Sequence, residues 1–108
     1  MEFNLNTYWK DKIENEDLFL EDLWVEFGVC TVARIVYSSE TNRIISKSNA
    51  CNYIMNKYPN WTDVLQEALT LRKSDGLSDF TDATHRKDRT IAFITEMIDY
   101  CNTLYSKH

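Results

Sequence analysis

A chain of 108 residues, with 44% hydrophobic and 13% aromatic side chains, is long enough for one compact domain with a modest core and too short for two. Its net charge is −5, with acid gathered in residues 11–26, "DKIENEDLFLEDLWVE", which argues against a general affinity for nucleic acid or anionic membrane. No apolar run approaches the roughly 20 residues that cross a bilayer.

The N-terminal stretch "MEFNLNTYWKDKIENED" is polar and acidic and does not read as a signal peptide. From Asp17 onward, Leu20, Leu23, Trp24, Phe27, Cys30, Thr31 and Ile35 recur at three- and four-residue steps, which predicts a long helix with that face inward. Asp17 or an earlier acid is placed to cap its start, and the helix gives out near Tyr37. "SSETNR" then reads as a tight reversal, because Asn42 tolerates a left-handed backbone, and "RII" as a short extended piece leaving it.

Ser46 is the expected N-cap of a second helix over 47–58, with Ala50, Cys51, Ile54, Met55 and Tyr58 inward and Pro59 as its stop. Asn60 or Thr62 caps a third helix that buries Val64, Leu65, Ala68, Leu69 and Leu71. "RKSDGLSD" is the expected loop. In the last helix Thr84, Ile91, Ile94, Ile98, Cys101 and Tyr105 share a stripe, with Lys87, Asp88, Arg89, Glu96 and Asp99 outside it. The fold class is therefore all-α: one domain over residues 1–108, an antiparallel bundle of four to five helices with a tight turn or short extended piece near residues 38–46.

Signatures of catalysis are sparse. There is no Gly-rich phosphate loop, no G-x-S-x-G and no H-E-x-x-H. His85 and His108 lack metal-ligand spacing, and the aspartates of "DFTD", Asp79 and Asp82, are spaced as helix-capping or loop acids more than as a metal pair. Cys30, Cys51 and Cys101 are odd in number, have no C-x-x-C spacing and sit among apolar neighbours, which suits buried thiols in a reducing cytoplasm.

One segment carries more. In "ARIVYSSETNRIISKSNA", Arg34 is isolated in an apolar run, and Lys47 stands in a first helical turn, where the helix dipole disfavours a cation. Two cations beside free backbone N–H groups suit an anion such as phosphate. The structural alternative is that Arg34 snorkels out to Glu40 or another acid, while Lys47 points into water.

The segment "CTVARIVYSSETNRIISKSNACNYIMNKYPNWTDVLQEAL" resembles the C-terminal helical domain of the aminoglycoside O-nucleotidyltransferases that adenylylate streptomycin and spectinomycin. The resemblance runs through Thr31, Arg34, Ile35, Tyr37, Ser38, Thr41, Ile44, Lys47, Ala50, Tyr53 and Pro59, and through the Glu67-Ala68 pair. Asn42 stands at the family's turn glycine, Val36 at its tryptophan, and Phe27 where the family tends to carry a polar residue. In that family an N-terminal nucleotidyltransferase domain supplies G-S, the D-x-D carboxylates for magnesium and the base. None of these is in this chain, which is expected to be inactive alone.

The resemblance thus implies AMP transfer from ATP to a drug hydroxyl, with ATP and Mg as co-substrate and ion of the full enzyme and no magnesium held by this chain. It assigns Arg34 and Lys47 to the ATP phosphates. Glu21, Asp22 and Glu26 become candidates for the cationic groups of an aminoglycoside or aminocyclitol, with Trp24 as a stacking surface or simply a core residue. The implied partners are the N-terminal domain and the drug, with no nucleic acid and no membrane. The competing expectation is a non-catalytic acidic helical interaction or regulatory protein that keeps the fold.

Overall fold

The computed structural model describes residues 5–73 and 82–106. They form five helices: α1 (Leu5–Glu14), α2 (Asp22–Thr41), α3 (Lys47–Lys57), α4 (Thr62–Leu71) and α5 (Ala83–Ser106), with single 3-10 turns at Glu16–Leu20 and Pro59–Trp61. No strand occurs among the described residues, so the all-α expectation holds. Most of "RKSDGLSD", with Asp79, lies outside the described residues, as do His108 and the side chain of Tyr105.

The local signals are found where the residues place them. Ser46 caps α3, its hydroxyl accepting the Asn49 N–H at 3.2 Å. Asn42 ends α2 in the left-handed region, φ 59° and ψ 29°, donating its N–H to the Ser38 carbonyl at 2.9 Å. α3 stops before Pro59. Asp82 accepts the N–H groups of Thr84 and His85 at 2.9 and 3.3 Å, which makes it the capping acid of α5.

Three expectations are corrected. The helix expected from Asp17 is broken: Glu16–Leu20 is a 3-10 turn, Glu21 is extended (φ −90°, ψ 136°), and α2 begins at Asp22 and runs past Tyr37 to Thr41. That break resets the phase. The buried stripe of α2 is Val25, Gly28, Val29, Val32, Ala33 and Val36, joined by Cys30, while Leu20 and Leu23 are 40% and 70% exposed. A helix apolar on nearly every side shows no unique period, and α2 is such a helix because α3, α4 and α5 all pack on it. Finally, α4 has no side-chain cap. Its 3-10 lead-in ends at Trp61, and Thr62 donates its hydroxyl back to the Pro59 carbonyl at 2.8 Å.

Direction follows from who meets whom. Lys47 sits over Phe27, Cys51 touches Cys30, Tyr53 packs on Tyr37 and Lys57 pairs with Glu40, so α3 climbs alongside α2 in the same sense. Residues 43–46, outside any helix and extended at Ser46, make this possible by running back along α2 before α3 starts. α5 also climbs with α2, from Arg86 at Asp22 through Ile94 at Gly28 to Tyr100 at Glu40. Among α2 to α5 only α4 runs the other way, Asp63 meeting Arg89 and Glu67 meeting Arg86, so the bundle mixes directions where an antiparallel one was expected. α1, which the sequence does not announce, seals one side by burying Trp9 against Phe27 and the backbone of Gly28.

Candidate functional site

The two isolated cations lie on one side of the α2–α3 seam. Phe27, Thr31 and Arg34 fall on one stripe of α2, so Arg34 stands about 10 Å along the axis from Phe27. Lys47, in the first turn of α3, holds its Nζ 5.4 Å from the centre of the Phe27 ring. Both cations are half-buried, and neither has a carboxylate partner among the described residues. Glu40, the acid within sequence reach of Arg34, is occupied elsewhere: Tyr53, Tyr58 and Tyr100 donate their hydroxyls to it and Lys57 pairs with it.

The end of α4 supplies a third cation that the sequence reading passed over. Arg72 donates from Nη1 to Glu26 Oε1 at 2.6 Å and from Nε to Ser48 Oγ at 3.2 Å. It therefore ties the start of α2 to the first turn of α3, beside Lys47. No local signal marks Arg72, because its partners Glu26 and Ser48 come from two other helices. Under this corner lie Cys30 and Cys51, with Cys51 donating to Cys30 across 3.5 Å. That hydrogen bond pulls the Cys30 thiol below its usual range, against burial and the Glu26 charge, with Arg72 and Lys47 assisting, while Cys51 is pushed up by the same bond and by burial.

The candidate drug-binding acids are placed differently from one another. Glu21 is exposed at the corner before α2. Asp22 is 69% exposed and pairs with Arg86 at 2.7 Å. Glu26 is only 17% exposed and pairs with Arg72. Trp24 is half-buried and packs edge-on against Phe19 and Phe27, with Lys12 over its ring at 5.4 Å. Its ring is thus largely spent on neighbours of this chain.

Glu67, the acid of the Glu67-Ala68 pair, is a buried structural ligand. It has no exposed surface and accepts from Arg86 Nη1 at 3.1 Å. Arg86 in turn donates to Asp22 at 2.7 Å and to the Leu20 carbonyl at 2.9 Å, which fixes the corner where α2 begins. The described residues contain no cluster of three His, Cys, Asp or Glu side chains able to hold a metal ion, and no helix among them is long and apolar enough to cross a membrane.

No curated protein and no solved structure matches the chain at a significant level. The sequence pattern of "Aminoglycoside adenylyltransferase, C-terminal domain" matches residues 7–99, which takes in α2 to α4, the Arg34–Lys47 seam and most of α5. On that match, the chain belongs to the family of aminoglycoside adenylyltransferase C-terminal domains.

Proposed function

We propose that this chain forms one wall of an adenylyltransferase cleft, presenting cations to the phosphates of ATP and carboxylates to an aminoglycoside or aminocyclitol. An N-terminal nucleotidyltransferase domain would hold the magnesium and the catalytic base. The observation that carries the reading is the contrast among arginines. Arg72, Arg86 and Arg89 each grip a carboxylate, whereas half-buried Arg34 grips none among the described residues and lies on the stripe of α2 that Lys47 overhangs.

A phosphate oxygen would give each of these cations a charge-assisted bond of about 1.5–3 kcal/mol. On that scale Arg34 and Lys47 hold ATP weakly by themselves, so the other wall of the cleft is needed for tight binding. On the drug side, exposed Glu21 and Asp22 would meet ammonium groups first, with Glu26 set deeper. Two exposed leucines, Leu20 and Leu23, sit at the same corner and suit the closing face of a second domain. They also favour the second reading, a protein that only docks.

The test is an amide NMR titration of the chain with Mg·ATP, then with streptomycin and with spectinomycin. Shifts gathered on Arg34, residues 42–47 and residues 21–26 are expected. Absence of shifts at about 10 mM of each ligand, with the assembled enzyme equally active when Arg34 and Lys47 are replaced by glutamine, would overturn the reading in favour of docking alone.

A further inference from the structure

We infer that Arg72 is a third ligand of the polyphosphate at this site, and that Glu26 is the carboxylate it releases when the phosphate arrives. The inference rests on the phosphate reading of Arg34 and Lys47 given above and adds a residue and an exchange to it.

The geometry sets Arg72 at the right corner. Its Nε bonds Ser48, the residue after Lys47, so the guanidinium lies against the first turn of α3. Its Nη1 holds Glu26, and its Nη2 has no partner among the described residues. Lys47 and Ser48 are neighbours in the first turn of α3, so the guanidinium that bonds Ser48 lies at the same end of that helix as the Lys47 ammonium. Lys47 and Arg72 thus meet at the first turn of α3, one from α3 and one from the end of α4, with Arg34 farther along α2.

Glu26 is the weaker of the two anions that can use this guanidinium. It is a single negative charge, 17% exposed, and only one of its oxygens is held by Arg72. A polyphosphate carries several charges and matches the guanidinium fork with two oxygens at once. It also engages Lys47 in the same event. As Arg72 turns toward phosphate, Glu26 loses its counter-ion beside the exposed acids Glu21 and Asp22, and a cationic ligand there gains a carboxylate. By linkage, each ligand then strengthens the other.

Inorganic tripolyphosphate without nucleoside is the probe, titrated into the 108-residue chain and followed by amide and arginine Nε–H NMR. The wild-type chain should bind in the millimolar range, with the Arg72 Nε–H signal among those that move. Arg72→Gln should weaken binding about tenfold and Arg72→Lys less, while Glu26→Gln should tighten it severalfold, because the competing carboxylate is gone. Gain of affinity in Glu26→Gln is a readout that a purely structural ion pair does not give. If Arg34→Gln and Lys47→Gln weaken binding but Arg72→Gln does not, the inference falls and the site stands. An unchanged Glu26→Gln removes the exchange. If the wild-type chain shows no shift, or binds sulfate as well as tripolyphosphate, the phosphate reading falls and this inference with it.

Discussion

The Nζ of Lys57 lies 2.8 Å from Oε2 of Glu40, a carboxylate only 7% exposed that also receives the hydroxyls of Tyr53, Tyr58 and Tyr100. Burial pushes the Glu40 carboxyl up, but Lys57 and the three tyrosines outweigh it and hold it down at about 2. The same carboxylate raises Lys57, Tyr53 and Tyr58 above their ordinary values, with burial the larger cause for Tyr58.

Glu40 therefore links α2, α3 and α5 through its charge. A carboxyl depressed in the folded state stabilises above its unfolded pKa and ceases to do so as the pH falls through its folded value. Glu40→Gln should cost about 1–3 kcal/mol at pH 7. The gap between variant and wild type should shrink as the pH falls from 4.5 toward about 2. Urea unfolding at pH 7 and at several acidic pH values measures both, and a gap that stays constant with pH would mean the charge contributes nothing.

Glu67 and Arg86 form the buried pair beneath the α2 corner. Arg86→Ala withdraws the guanidinium from buried Glu67 and should cost about 3–5 kcal/mol, and Glu67→Ala should also destabilise, because Arg86 then keeps only the exposed carboxylate of Asp22. The double replacement Glu67→Leu with Arg86→Met should cost less than either single one. Denaturation midpoints of the three variants provide the comparison, and additive losses would contradict the pairing.

Gly28 faces Ile94 of α5 and Phe19 with no room to spare. A Cβ built there would meet Ile94 Cδ1 at 3.0 Å and Phe19 Cε1 at 3.3 Å. Gly28→Val should therefore destabilise by about 1–3 kcal/mol through overpacking, although a side chain in mid-helix is intrinsically better than glycine. Thermal unfolding of Gly28→Val alone and with Ile94→Ala tests the cause, since the smaller partner should return part of the loss.

All three cysteines are free and buried. Native protein should react with a thiol reagent only as fast as it opens, and denatured protein should yield all three thiols at once. A colorimetric thiol titration with and without denaturant gives the answer, and rapid native labelling of Cys30 would contradict its burial.

The short-range features were legible because their bonds close within a few residues. Ser46 reaches Asn49, Asn42 reaches Ser38 and Pro59 ends α3, each by local geometry that the residue type carries with it. Part of the α5 stripe was readable because solvent meets the opposite face and leaves a period: Ile94, Ile98 and Cys101 are buried as expected, while Thr84 is exposed and Phe93 and Met97 are buried beside them. α2 offers no such contrast. Helices on three sides bury it almost all round, and the 3-10 turn at Glu16–Leu20 shifts the register that a single long helix would have kept.

The candidate site divides along the same line. Arg34 and Lys47 stand out in the sequence because a lone cation in an apolar run and a cation in a first helical turn are each locally unfavourable. The partners of Asp22, Glu26 and Glu67 do not stand out, since Arg86 and Arg72 reach them from 64, 46 and 19 residues away. By itself, then, the sequence determined the all-α class, the caps at Ser46 and Asn42, the family and the two locally unfavourable cations Arg34 and Lys47. Only the tertiary structure decided which carboxylates remain open and which arginines they hold, because ion pairs between helices depend on packing direction and depth, and neither leaves a period along the chain.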